Sequence, residues 1–174
     1  VLDFYNKRRR QLVSSKPNAA HIGLAELQKD FDVQIITQNI DNLHEQAGSK
    51  KVLHLHGELN KARSSSQENY IIDITGKDIN LGDLCPYGSQ LRPHIVWFGE
   101  AVPAMDEAIK LASQAEIFVV IGTSLNVYPA AGLVDYVPSE AKLYLSDPNE
   151  VNRTLRHCTY IKEKAVKGIE ILKK

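Results

Sequence analysis

Cysteine is scarce in this chain. Only Cys85 and Cys158 occur among 174 residues, too few for a disulfide framework, so a reducing, cytoplasmic setting is the simpler expectation. An excess of one charge is missing too: 21 Lys and Arg balance 21 Asp and Glu, which leaves no global field to gather nucleic acid or an anionic membrane. The cluster Lys7-Arg8-Arg9-Arg10 is the single local exception. No apolar run approaches the roughly 20 residues of a membrane span, and the charged start Val1-Leu2-Asp3-Phe4 lacks the pattern of a secretory signal. The ten glycines are scattered, with no Gly-x-Gly-x-x-Gly turn whose backbone N–H groups would approach a diphosphate at a helix N-terminus.

Hydrophobic residues make up 43% of the chain, enough for one compact domain with an insert. Helix formers run from Asp3 to about Val13, and Asn18 after Pro17 introduces a second helical stretch through Lys29, with Ala19, Ile22, Leu24, Ala25 and Leu27 available for burial. The runs Val33-Gln34-Ile35-Ile36 and Val52-Leu53-His54-Leu55 read as short strands. Glu58 to Cys85 loses clear periodicity and collects Ser64-Ser65-Ser66, Gly76 and Gly82, which predicts a loop-rich insert with a short hairpin around Tyr70-Ile71-Ile72. Beyond it, Ile95 to Phe98, Ile117 to Ile121 and Lys142 to Leu145 are strand candidates, with helices expected at about 104–115, about 130–136 and near the C-terminus. This alternation predicts an α/β fold with a mostly parallel sheet covered by helices on both faces.

Polar groups gather just beyond the first two strands, where an open α/β sheet builds its site. After the first come Gln38, Asn39, Ile40 and Asp41; after the second, His56 and Gly57. His56 would present an imidazole able to take a proton near neutrality, or it is an ordinary strand-end histidine bound to water. Asn39 and Asp41 would cap the next helical turn, bind a ligand, or do both. Tyr5 and Arg8 stand three apart on one helix face, where a phenol and a guanidinium fork can hold a carboxylate; the alternative is a solvated basic face.

Three blocks, Thr37-Gln38-Asn39-Ile40-Asp41-Asn42-Leu43-His44 with His54-Leu55-His56-Gly57, Arg92-Pro93-His94-Ile95-Val96-Trp97-Phe98-Gly99-Glu100, and Gly122-Thr123-Ser124-Leu125-Asn126-Val127-Tyr128-Pro129, stand in the order found in sirtuins, NAD-dependent protein deacylases. The chain resembles the back two-thirds or so of that family, without its glycine-rich first segment, so weakened NAD binding is expected. The resemblance implies a partial Rossmann-like domain over 1–57 and 92–174 and a small module over 58–91. It implies that His56 is the general base on the cofactor ribose after the acyl oxygen has attacked the anomeric carbon, with nicotinamide leaving and the acyl group passing to ADP-ribose. Gln38, Asn39, Ile40, Asp41, Gly122, Thr123 and Ser124 would contact the cofactor, with Lys164 and Ala165 flanking adenine. Val96, Phe98 and Gly99 would form one side of the acyl-peptide cleft and Asn126, Val127 and Tyr128 the other, against a plain packing role for Val96 and Phe98. Phe4-Tyr5-Asn6-Lys7-Arg8 resembles the segment that favours succinyl- and malonyl-lysine.

Two departures are visible. Many sirtuins hold zinc with two Cys-x-x-Cys pairs, whereas this chain has Ala62-Arg63-Ser64-Ser65-Ser66-Gln67 and Cys85-Pro86-Tyr87-Gly88 in their place, so no metal is expected. The adenosine-binding asparagine is replaced by Ser146-Asp147, either of which is a possible substitute. If the family's first strand is missing from between the strand before Thr37 and the one containing Ile95-Val96, two apolar edges stand open; either those strands close on each other or, the favoured expectation, a second copy of the chain pairs with them. The resemblance leaves two readings: an acyl-lysine deacylase, or a non-catalytic peptide-binding or self-assembling relative.

Overall fold

A computed structural model describes residues 1–123, 125, 128–149, 151 and 154–173. Helix α1 (Leu2–Ser14) buries Asn6, Arg9 and Leu12, a stripe at helical spacing. Two of those three are polar, and both are hydrogen-bonded, with only Arg9 Nη2 left without a partner among the described residues. Arg9 Nε donates to the Leu59 carbonyl at 2.7 Å, and its Nη1 donates to Asn6 Oδ1 at 2.9 Å and to the Lys77 carbonyl at 3.1 Å. Asn6 in turn exchanges two bonds with the Ile79 backbone, at 2.9 and 3.0 Å. The basic cluster is thus not uniformly solvated: Arg9 is 1% exposed.

Helix α2 (Ala19–Leu27) starts at Asn18, whose side chain accepts from the Ala20 and His21 N–H groups while His21 reaches back to the Asn18 N–H. The residues it buries are Ala20 and Gly23, with Ile22 left exposed, a narrower contact than its apolar content suggests. Gly23 is what lets it approach the last helix, α5 (Ala165–Leu172), since a Cβ there would stand 3.0 Å from Ile169.

Strands β1 (Ile35–Thr37) and β2 (Val52–His54) pair in parallel, Thr37 opposite His54, with the short helix α3 (Leu43–Gln46) between them in sequence. An antiparallel sheet follows in the order β4-β3-β5, from β3 (Gly57–Ser64), β4 (Ile71–Asp73) and β5 (Leu91–Ile95). After helix α4 (Met105–Ser113), strands β6 (Ile117–Ile121), β7 (Lys142–Ser146) and β8 (Cys158–Ile161) form a parallel sheet in chain order. A 3₁₀ segment, Ala130–Tyr136, lies between β6 and β7 in sequence.

Three expectations need correction. The insert is more regular than expected: its hairpin is present as β3 paired with β4, but β3 runs eight residues, and a register shift between Glu58 and Ala62 breaks the polar–apolar alternation in the sequence. The strand expected at 95–98 lies earlier, at Leu91–Ile95, because Pro93 sits opposite Ala62 at the irregular part of the ladder, where the missing N–H is tolerated. Consequently Ile95 pairs antiparallel with Gly57 and is not a member of the parallel layer. Among the described residues β1 pairs only with β2, and β6 only with β7.

The core has three parts. Leu55, Ala108, Ala112, Ala130 and Leu133 pack between β2, α4 and the 3₁₀ segment; Val120, Leu125, Ala131, Val134 and Leu145 pack against β6 and β7; Ala62, Ile74 and Ile79 fill the insert. The junction between them is tight at Gly57, which has φ +83° and whose added Cβ would lie 2.0 Å from the His94 carbonyl oxygen. Gly57→Ala should therefore destabilise the fold by roughly 2–4 kcal/mol, through both the left-handed backbone and the clash; urea unfolding measures it, and a loss below the scatter of ordinary surface substitutions would contradict this packing.

Candidate active site

A cavity of about 690 Å³ opens where the carboxyl ends of β1, β2 and β5 meet the first helix. Tyr5 and Arg8 reach it from α1, Gln38 to Asp41 from the segment after β1, His56 from the turn after β2, and Val96 to Gly99 from the loop after β5. Tyr128 and Pro129 line it as well. The fold thus brings together residues that lie more than ninety positions apart in the chain.

His56 is oriented by its neighbour across the parallel pair. Its Nδ1 lies 3.1 Å from the Gln38 carbonyl oxygen. A carbonyl can only accept, so Nδ1 carries the hydrogen and Nε2 of the neutral ring keeps its lone pair. His54 has a different environment. Its Nε2 meets Glu45 Oε1 at 2.7 Å, its Nδ1 lies 3.3 Å from the Asn39 carbonyl, and its side chain is 7% exposed, so it braces the Gln38–Asp41 segment from beneath.

That segment both caps and faces the cavity. Asn39 N–H donates to Thr37 Oγ1 at 3.1 Å, and Asp41 Oδ1 accepts from Leu43 N–H at 3.1 Å. Among the described residues no hydrogen bond engages the Gln38 side-chain amide, which leaves a donor and an acceptor at the cavity wall. An amide beside a carboxylate and an imidazole suits a ligand with a carboxamide and sugar hydroxyls, so these residues fit the nicotinamide and ribose of NAD.

The loop after β5 is held by charge. Arg92 forks onto Glu100, Nη1 to Oε1 at 2.8 Å and Nη2 to Oε2 at 3.0 Å, and the Glu100 carboxylate also accepts from the Trp97 N–H at 2.9 Å. These bonds hold the Glu100 carboxyl down at about 2. Neither Arg92 nor Glu100 was singled out by sequence reasoning, nor was Trp97; the signal was there in two opposite charges eight positions apart, flanking a largely apolar run.

Other expected residues lie elsewhere. Gly122, Thr123, Lys164 and Ala165 do not line this cavity; they belong to the carboxyl end of the β6–β7–β8 sheet, where Gly122 N–H donates to the Ser146 carbonyl and Lys164 is the residue before α5. Ser146 does not present its hydroxyl to a ligand: it is 1% exposed and donates to the Glu163 carbonyl. Asp147 is buried too, one oxygen accepting from Asn149 N–H. Ser124, Asn126 and Val127 lie outside the described residues.

The zinc positions hold no zinc ligand set. Cys85 Sγ donates to Ser64 Oγ at 3.4 Å, and Ser64 Oγ accepts from the Ser66 and Gln67 N–H groups at 3.2 and 3.1 Å. One thiol among hydroxyls does not suit a tetrahedral zinc. Glu45, His54 and Glu58 each bring a donor atom within 4.8 Å of the others, but the histidine is already bonded to Glu45 and Glu58 to Lys61.

Comparison with known proteins agrees with this geometry. The profile described as Sir2 family matches residues 2–129. An NAD-dependent protein deacylase of Bacteroides thetaiotaomicron is 51% identical over 99% of this chain and 76% of its own length, and one of Helicobacter pylori is 53% identical over 99% and 75%. Among solved structures, a Sir2 homologue in complex with NAD superposes with a TM-score of 0.88 at 34% identity, covering 98% of this chain and 69% of that one; a Sir2 bound to acetylated peptide gives 0.79 at 36%, covering 93% and 71%. The chain belongs to the Sir2 family.

Two partly buried histidines, neither of them in the cavity lining, make stability depend on pH. Burial pushes His44 down, with the nearby His21 adding to the effect, and burial followed by Arg63 pushes His94 down. A histidine whose folded pKa lies below its unfolded value favours the folded state when neutral, so stability is full above the ordinary imidazole range and falls as pH drops through it. The urea midpoint should therefore fall between about pH 7.5 and about pH 5.5, and His94→Gln should flatten that slope; an unchanged midpoint would contradict it. A second loss, from Glu100, belongs to the range from the ordinary 4.5 down to about 2.

Proposed function

We propose that this protein is an NAD-dependent deacylase of protein lysines, with the reacting groups gathered in the cavity around His56 and with a preference for acyl groups that end in a carboxylate. The observation that carries the reading is the pairing of His56 Nδ1 with the Gln38 carbonyl, which leaves Nε2 as a base in a cavity walled by an amide, a carboxylate, a phenol and a guanidinium. NAD supplies an anomeric carbon with nicotinamide as leaving group. The chain's own contributions are orientation and proton transfer. Gln38 to Asp41 hold the ribose and carboxamide, and His56 Nε2 accepts a ribose hydroxyl proton, its ring kept in place by the Gln38 carbonyl as positive charge develops. The Val96–Gly99 loop and Tyr128 flank the acyl-lysine, an exposed backbone edge suited to an extended peptide.

Acyl preference follows from α1. Tyr5 and Arg8 both line the cavity, and the burial of Arg9 and Asn6 on the adjoining face of the helix directs them there. Arg8 lies 5.4 Å from the centroid of the Phe4 ring, and Phe4 meets Tyr5 edge-on, so the guanidinium rests against an aromatic ring and has no acidic partner among the described residues. A carboxylate at the end of an acyl chain would fill that role. Gly122, Thr123, Lys164 and Ala165, at the end of the other parallel sheet, are assigned to the remote part of NAD.

Two substitutions test the reading in the whole protein, with nicotinamide release from NAD and acyl-lysine peptides as the assay. His56→Ala should lower turnover by about 10²–10⁴-fold with the circular dichroism unchanged, and retained activity would remove His56 from the chemistry. Arg8→Met should reverse a preference for succinyl-lysine over acetyl-lysine by about tenfold or more, the loss of one charge-assisted pair. An unaltered ranking would mean that Arg8 is only a surface charge.

A further inference from the structure

We propose that the Arg92–Glu100 ion pair positions the loop that carries Val96, Trp97 and Phe98, and so sets the affinity for the acyl-lysine peptide without entering the proton transfer at His56. The inference rests on the acyl-lysine reading above. Its starting point is that this loop has little packing to order it. Phe98 projects fully exposed, at 102% of its reference surface, and Gly99 has φ +87° with nothing within 4 Å of where a Cβ would be. An apolar tip without burial contributes no ordering energy of its own.

What fixes the loop is polar. At its start, the Val96 N–H donates to the His56 carbonyl at 3.0 Å, which ties the loop to the backbone of the proposed base. At its end, Glu100 N–H donates to the Trp97 carbonyl at 3.0 Å while the Glu100 carboxylate accepts from Trp97 N–H, so the turn is closed from both sides. Arg92 then locks that turn to β5: its fork takes both carboxylate oxygens, Nη2 also donates to the Ile95 carbonyl at 2.8 Å, and the guanidinium carbon lies 3.7 Å from the centroid of the Trp97 ring. The Arg92 side chain is 16% exposed and that of Glu100 32%. A bidentate, partly buried pair is directional in a way that a surface pair of flexible side chains is not. Because β5 also bears Ile95 against Gly57, the pair transmits the position of the His56–Gly57 junction to the tip at Phe98.

Trp97 is the sole tryptophan of the chain, so its emission reads the latch directly, independent of catalysis. Glu100→Gln keeps the shape and removes the charge; Arg92→Lys keeps the charge and removes the fork. In the whole protein, both should raise acrylamide quenching of Trp97 about twofold and raise KM for the acyl-lysine peptide about tenfold, while kcat and KM for NAD stay within about threefold. The double variant should match the worse single variant, as expected of one unit. Unchanged quenching overturns the latch. Raised quenching with an unchanged peptide KM, or with kcat and both KM values moving together, overturns its positioning role. A wild-type protein that releases no nicotinamide from NAD with any acyl peptide overturns the acyl-lysine reading and the peptide-affinity inference built on it, an outcome distinct from failure of the variants in an active protein.

Discussion

The close passage of the His56–Gly57 turn against the β5 backbone is the constraint on which the rest of the structure depends. Gly57 is the one residue type that fits there, with a left-handed φ and a carbonyl where its side chain would be. Its consequence is that three elements are indexed to one another at a single point: β2, which delivers His56; β3, which begins the insert; and β5, which ends at the loop flanking the cavity. The Gln38 carbonyl then aims the imidazole from across the parallel pair. Placement of this kind comes from backbone on backbone, which is stiffer than side-chain packing.

A second constraint comes from α1. Its Arg9 and Asn6 are bonded to the carbonyls and one N–H of Leu59, Lys77 and Ile79, all in or just after the insert sheet. Burial holds the guanidinium below its ordinary pKa, yet removing it would leave the Leu59 and Lys77 carbonyls orphaned, so the contact is retained as a fixed joint. The helix that presents Tyr5 and Arg8 to the cavity is therefore part of the insert's support and not an independent arm.

Much of this was legible in the sequence because the signals were local. The Asn18 cap, the runs ending at Thr37 and His54, and the five-residue strand at Ile117–Ile121 follow from short-range chemistry. The convergence of Tyr5, Arg8, Gln38 to Asp41, His56, Val96, Phe98 and Gly99 on one cavity followed from family resemblance, since no periodicity relates a helix at the start of the chain to a loop near residue 98. What stayed hidden had physical causes. A register shift disguised β3, Pro93 disguised β5, and Cys158–Ile161 is too short to carry a pattern. Arg9 looked like one charge among four, because burial through carbonyl acceptors leaves no acidic partner in the sequence to betray it. Ser146 looked like a ligand-binding hydroxyl until its bond to the Glu163 carbonyl placed it inside the α5 contact.

The thiol–hydroxyl contact of Cys85 with Ser64 has a meaning beyond the insert's shape. In a module closed by four thiolates, folding is coupled to the free concentration of a cation and to the redox state of the ligands. Here the same two chain segments are joined by hydrogen bonds, by the Ala62, Ile74 and Ile79 cluster and by the joint to α1. Through these groups, the two segments are held by contacts whose strength depends on neither a cation concentration nor the redox state of paired thiols.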